Sequence, residues 1–196
     1  GANQLGEKEP RDGSIFGFFT WNFVDQILAA EGLRVRYQDF GLIAGVQQPN
    51  VIYSRKDLPP GITKPQDILK AKDFRVGALG NTSTQMLFST LALDILGVKY
   101  KVVPGYKGLK EVETAVQQNE VQLASTSLPG FTASIEPIMV KTGIAVPLFY
   151  FDIEDANGNF RPSPALPNIM TFLELYKSIH GPDKMPSGQH WEALRF

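Results

Sequence analysis

The stretch that decides the fold of this chain reads Arg75-Val76-Gly77-Ala78-Leu79-Gly80-Asn81-Thr82-Ser83-Thr84-Gln85-Met86. It predicts a short apolar strand over residues 74–79, a turn at Gly80-Asn81, and a helix over residues 83–96. Ser83 and Thr84 suit the start of a helix, because their hydroxyls can accept hydrogen bonds from free backbone N–H groups. Such a turn favours an anion through those N–H groups and the helix dipole. An ordinary strand-to-helix turn with no ligand is the alternative.

The rest of the chain alternates strand and helix patterns. Further strands are predicted over residues 14–19, 40–48, 51–54, 101–104, 121–125 and 144–151. Helices are predicted over residues 23–31, 64–70, 106–119, 133–141, 172–178 and 191–196. This alternation predicts an α/β fold whose sheets are mostly parallel and flanked by helices.

Two proline-rich segments divide the chain. Pro59-Pro60-Gly61 and residues 162–167 surround a continuous series of strands and helices, and both are typical of extended connections. The sequence therefore predicts two lobes. Residues 53–164 form the second lobe, and residues 1–52 and 165–196 form parts of the first.

Composition and motifs exclude several functions. The net charge of −1 argues against nucleic acid or an anionic membrane as a partner. The chain has no apolar run long enough for direct membrane insertion. It has no cysteine for disulfides or thiolate metal sites, and its two histidines, His180 and His190, lie outside metal-ligand spacings. There is no phosphate-binding loop, nucleophile elbow or acid–base pair, so neither a cofactor, a metal nor an enzyme is predicted.

Three other polar groups are candidates for ligand binding. Tyr106-Lys107-Gly108 precedes a predicted helix, Ser125-Thr126-Ser127 ends a predicted strand, and Thr20-Trp21 ends another. Ligands in open α/β sheets bind beyond the carboxyl ends of the strands, where these groups are expected. The alternatives are a solvated Lys107, an ordinary polar loop at residues 125–127, and a Trp21 that belongs to the core.

Five short motifs in order resemble the extracytoplasmic solute receptors of tripartite tricarboxylate transporters, the Bug-type receptors. They are Pro10-Arg11-Asp12-Gly13-Ser14-Ile15, Gly77-Ala78-Leu79-Gly80-Asn81-Thr82-Ser83, Gly105-Tyr106-Lys107-Gly108, Asn119-Glu120-Val121 and Ala165-Leu166-Pro167-Asn168-Ile169-Met170-Thr171-Phe172. Where the family often has Gly and His after the central strand, this chain has Thr82 and Met86. Where the family often has Asp after Glu-Val, this chain has Gln122.

The resemblance implies a two-lobed periplasmic binding protein of type II. Such a receptor closes over a small organic carboxylate and passes it to a membrane permease. In these receptors the carboxylate is held largely by backbone N–H groups, hydroxyls and water, which Gly80, Asn81, Thr82, Ser83 and Thr84 can supply. The family's first strand would precede Gly1 and its last helices would follow Phe196, so an incomplete chain with an exposed sheet edge near Phe16 and Phe18 is expected to associate.

Two other functions fit the same residues. A binding lobe of this kind could serve in sensing rather than in transport, and sequence does not separate the two. A small α/β enzyme acting on a carboxylated metabolite is the remaining alternative, although it lacks a placed nucleophile or acid–base pair.

Overall fold

The computed structural model describes residues 1–19, 23–45, 48–80, 83–155 and 157–195. Thr20, Trp21, Asn81 and Thr82, four of the predicted site residues, lie outside these ranges. Within the described residues the chain forms two compact units. The first comprises residues 1–45 with 83–84, and the second comprises residues 48–80 with 85–195.

The first unit has little regular structure. Its elements are α1 (Ala2–Glu7), α2 (Phe23–Ile27) and a 3₁₀ turn at Tyr37–Asp39. Neither helix buries a residue. An ion pair connects α1 to Arg34, whose Nη2 lies 2.7 Å from Glu7 Oε2. The strands predicted over residues 14–19 and 40–48 are wrong, because their described residues form no strand. Apolar β-formers become a strand only where another strand offers backbone hydrogen bonds.

The second unit contains the main sheet and its helices. Its strands are β1 (Asn50–Arg55), β2 (Arg75–Gly77), β3 (Lys101–Val103), β4 (Leu123–Ser127), β5 (Ala145–Tyr150), β6 (Ile153–Glu154) and β7 (Phe160–Arg161). Its helices are α3 (Thr84–Ile95), α4 (Leu109–Gln117), the single turn α5 (Leu128–Gly130), α6 (Phe172–His180) and α7 (Gln189–Arg195). A 3₁₀ helix spans Pro65–Lys70, and a π-helix at Phe131–Val140 continues α5. Among the described residues, no helix has both the length and the apolar character needed to cross a membrane.

Five strands form one sheet in the order β3-β2-β4-β1-β5. β2 pairs in parallel with β3 and β4, whereas β1 pairs antiparallel with both β4 and β5. Four strands therefore share a direction and β1 opposes them, which confirms the predicted α/β class with a mostly parallel sheet. β6 and β7 form a separate antiparallel pair.

Apolar side chains cover both faces of this sheet. On β1, Ile52 joins one buried cluster with Phe149 and Phe172, while Val51 and Tyr53 join the other. This alternation follows from the two-residue period of a strand. Each face carries an apolar core, so packing on both faces holds the sheet in place.

Residues 165–195 pack against the sheet of the second unit. α6 starts with a capping box between Thr171 and Glu174, and its Leu175 is fully buried in the same cluster as Phe149. The sequence-based division placed residues 165–196 with residues 1–52 instead. The apolar side chains of residues 165–195 pack into the core of the second unit. How the whole protein divides into lobes stays a prediction.

Candidate functional site

The carboxyl ends of three parallel strands bring two of the predicted turns together. The segments that follow β2 and β3 share backbone hydrogen bonds: the Gly105 N–H donates to Leu79 O at 3.2 Å and the Tyr106 N–H donates to Ala78 O at 3.4 Å. Gly80, directly after Leu79, is therefore held beside the Tyr106-Lys107-Gly108 turn. This is the edge at which open α/β sheets bind ligands.

The first turn of α3 is tied to the end of β4. The Ser125 hydroxyl donates to the Gln85 carbonyl oxygen at 3.0 Å. α3 begins at Thr84, with Ser83 directly before it, and its first turn carries no acidic residue. The first turn of α3 thus supplies no carboxylate of its own to the N-terminal end of the helix dipole.

The neighbouring helix α4 differs in this respect. Its first turn contains Glu111, whose Oε2 accepts a hydrogen bond from the Lys107 N–H at 2.9 Å. Its N-cap, Gly108, provides no side-chain cap. A carboxylate of the chain thus already lies at the start of α4, and an anionic ligand there would meet a like charge. The Lys107 side chain is exposed.

Tyr106 is half-buried against the core cluster of Tyr53 and Val112. Burial raises the pKa of its hydroxyl, the nearby charge of Glu120 raises it further, and Arg75 lowers it. Glu120 and Arg75 lie at the amino ends of β4 and β2, opposite the carboxyl edge. The charges that shift the pKa of the Tyr106 hydroxyl therefore lie towards the other end of the sheet. The Tyr106 backbone, in contrast, lies at the candidate site.

The three hydroxyls of β4 have different surroundings. The Ser125 hydroxyl is used on Gln85, and Ser127 caps α5 by accepting from the Gly130 N–H at 3.4 Å. Thr126 is 1% exposed, and its Oγ1 has no hydrogen-bond partner in the described part of the chain. A buried polar atom without a partner is uncommon and costs stability. Of the three hydroxyls of β4, that of Thr126 is therefore the one that can still form a hydrogen bond.

Sequence reasoning missed two contributors to this edge. Glu111 could have been recognised as an acidic residue in the first turn of a helix, the position at which a carboxylate satisfies backbone N–H groups. The contact from Ser125 to the Gln85 backbone had no sequence signal, because any residue supplies a carbonyl oxygen. Among the described residues, no cluster of three metal-ligating side chains is present.

Comparison with known proteins gives structural matches only. No family model and no curated protein matches the chain. A TctC solute binding protein from Polaromonas is 21% identical with a TM-score of 0.56, covering 76% of this chain and 48% of that one. The periplasmic binding protein BugD is 19% identical with a TM-score of 0.49, covering 69% and 41%. MatC from Rhodopseudomonas palustris with bound malate is 16% identical with a TM-score of 0.47, covering 63% and 39%.

The match to the TctC protein identifies a fold. The chain spans about half of the length of the TctC protein, and less of the other two. The motifs found in the sequence and the arrangement of the sheet agree on the same architecture. The resemblance predicted from the sequence is thus confirmed at the level of fold, and the chain has the α/β fold of a TctC solute-binding protein.

Proposed function

We propose that this chain belongs to a Bug-type extracytoplasmic solute-binding protein, which captures a small organic carboxylate in the periplasm and delivers it to the permease of a tripartite tricarboxylate-type transporter. The observation that carries the proposal is the contrast between two helix starts at one sheet edge. The first turn of α4 has its own carboxylate in Glu111, whereas that of α3 has none. The fold of the TctC solute-binding protein supports the same reading.

The proposed ligand carboxylate lies at the start of α3. The residues proposed to hold it are Gly80, Asn81, Thr82, Ser83 and Thr84, because the dipole of a helix favours an anion at its N-terminus. The turn Tyr106-Lys107-Gly108 and the Thr126 hydroxyl complete the same edge, with Ser125 and Ser127 fixing the strand end. Thr20 and Trp21 are proposed to contribute from the other lobe.

Calorimetric titration tests this assignment. The protein is titrated with acetate, succinate, malate and adipate. The ligand that binds most tightly is then titrated into each variant. We expect Ser83→Ala to weaken binding about tenfold or more, since a hydrogen bond to a charged group contributes about 1.5–3 kcal/mol. Ser83→Asp should abolish binding, because its carboxylate repels or replaces the ligand.

Two variants serve as controls. Ser187→Asp adds the same charge at an exposed position of the second unit, and His180→Ala removes a side chain that has no part in the proposal. Both should bind as the parent does. If Ser83→Asp also binds as tightly as the parent, the start of α3 is not the anion site.

A further inference from the structure

A cavity lies on the face of the sheet that is covered by α3, α6 and α7. It has a volume of about 130 Å³ and opens beside the end of β5 and the β6–β7 pair. An apolar cavity of about 150 Å³ is known to hold a ligand the size of benzene. The space therefore suits a molecule of roughly six non-hydrogen atoms.

Five aromatic rings line this cavity. Phe88, Phe151, Phe160, Phe172 and Trp191 all line it. The ring centroids of Phe88 and Phe151 are 5.2 Å apart, and those of Phe160 and Trp191 are 5.6 Å apart. Since each ring packs against another ring of the cluster, the wall is held in shape before any ligand enters.

Two carboxylates line the same cavity. Glu154 is neutralised by Arg195, whose Nε donates to Glu154 Oε2 at 3.0 Å and whose Nη2 donates to Oε1. Asp152 forms no ion pair in the described part of the chain, and its Oδ2 is buried without a hydrogen-bond partner. Among the described residues the cavity therefore keeps one carboxylate without an ion-pair partner, beside its aromatic rings.

The wall already accommodates one cation. The guanidinium carbon of Arg195 lies 5.8 Å from the centre of the Phe160 ring, within the distance at which a cation is attracted by the face of an aromatic ring. The combination of aromatic faces with an unpaired carboxylate is the chemistry that recognises organic cations, because the rings desolvate the alkyl part while the carboxylate accepts from the ammonium.

We propose that this cavity binds a small alkylammonium ion, with its nitrogen donating to the Asp152 carboxylate and its alkyl chain between the Phe88, Phe172 and Trp191 rings. The site is separate in chemistry from the proposed carboxylate site at the start of α3, and it stands whether or not that proposal does. The ligand class follows from size, aromatic lining and charge alone.

The test is calorimetric titration of the whole chain with n-butylammonium chloride at pH 7. Two ligands of similar length and different charge, 1-butanol and butanoate, are titrated under the same conditions. We expect n-butylammonium to bind at least about tenfold more tightly than either, since only it can make a charge-assisted hydrogen bond to the carboxylate. Equal binding of butanol, or tighter binding of butanoate, overturns the proposal without any variant having to fold.

A matched pair of variants locates the binding. Asp152→Asn keeps the shape of the side chain and removes its charge, so we expect n-butylammonium affinity to fall about tenfold or more. Asp183→Asn makes the same change at an exposed position and should leave the affinity as in the parent. Thermal melting confirms that both variants are folded. Parent-like affinity in folded Asp152→Asn shows that the ammonium does not bind here.

Discussion

At the scale of single residues, two aspartates have pKa values that shift in opposite directions. Asp67 is 6% exposed, and its Oδ2 accepts from the Thr63 hydroxyl at 2.7 Å and from the N–H groups of Thr63 and Lys64. These bonds, the Thr63 hydroxyl first, hold the pKa of Asp67 well below its usual range. For Asp152, burial raises the pKa, and repulsion from Glu174 adds to it.

Asp67→Asn should destabilise the second unit at neutral pH. A depressed folded-state pKa gives stability that is present above the unfolded value of 3.8 and is lost as the pH falls towards the folded value. The variant should therefore melt a few degrees lower at pH 7, with the difference shrinking in acid. Thermal melts from pH 7 to pH 2 measure it. A pH-independent difference would mean that Asp67 acts through shape alone.

Asp152→Asn should have the opposite effect on stability. Its carboxyl has a raised folded-state pKa, so the charged form is penalised above that pKa and the penalty is relieved as the pH falls towards 3.8. The groups around it are Thr171, the Leu173 N–H, Glu174 and Tyr150, with Glu154 and Arg195 on the same cavity. In ligand-free protein the variant should melt higher than the parent at pH 7, with the gain disappearing near pH 4. A variant that melts lower at pH 7 contradicts this.

At the scale of elements, the approach of α5 to β4 depends on a glycine. A Cβ added at Gly130 would lie 2.3 Å from Thr126 Oγ1, but 3.6 Å from Thr126 Cβ. The clash is thus with the hydroxyl alone, whereas alanine would otherwise favour a helical backbone by about 1 kcal/mol. The close contact of a buried pair should outweigh that preference.

Gly130→Ala should therefore lower the free energy of unfolding by about 1–3 kcal/mol. In a Thr126→Ala background the same change should cost little or become favourable, because the clashing oxygen is gone. Urea unfolding of the parent, both single variants and the double variant measures this coupling. Additive effects would show that α5 does not lie against Thr126.

The elements also show how far the sequence predicts this fold. Strands β1, β2, β3 and β5 and helix α3 begin and end within two residues of their predicted bounds, because each combines an apolar period with a clear turn signal. β4 lies two residues later than predicted, since its polar end, Ser125-Thr126-Ser127, continues the ladder with β1. The failures over residues 14–19 and 40–48 have one cause: a strand depends on its partner, and a single segment does not reveal whether one is present.

The candidate site was partly predictable for the same reason. Parallel strands place their carboxyl ends together, so the turns at Gly80 and Tyr106 were expected to adjoin, and backbone hydrogen bonds join the segments that contain them. The position of Asp152, whose Oδ2 has no hydrogen-bond partner among the described residues, beside a cavity lined by aromatic rings was not predicted. The sequence predicts the end of a strand at Phe149-Tyr150-Phe151-Asp152. Phe151 and Asp152 line a cavity only because α6 and α7 pack beside them.

At the scale of the whole molecule, the two units differ in how much apolar surface they bury. Among its described residues the first unit buries one apolar side chain, Tyr37. In the same unit Phe16 is 78% and Phe18 is 91% exposed, and Leu42 and Ile43 are also exposed. The second unit holds both apolar clusters. Exposed apolar patches of this kind promote association.

Replacing this apolar surface should therefore change association without changing the stability of the second unit. Phe16→Ser/Phe18→Ser is expected to lower the mass measured by light scattering at high protein concentration, because it removes the two most exposed aromatic side chains of the described residues. The melting temperature of the main transition should stay nearly constant, since substitutions of exposed residues usually alter stability by no more than about 0.5 kcal/mol. The control is Leu69→Ser/Met185→Ser, which removes exposed apolar side chains of the second unit and should leave association unchanged. A parent protein that is monomeric at high concentration, or a control that reduces association equally, would show that the surface around Phe16 and Phe18 does not drive it.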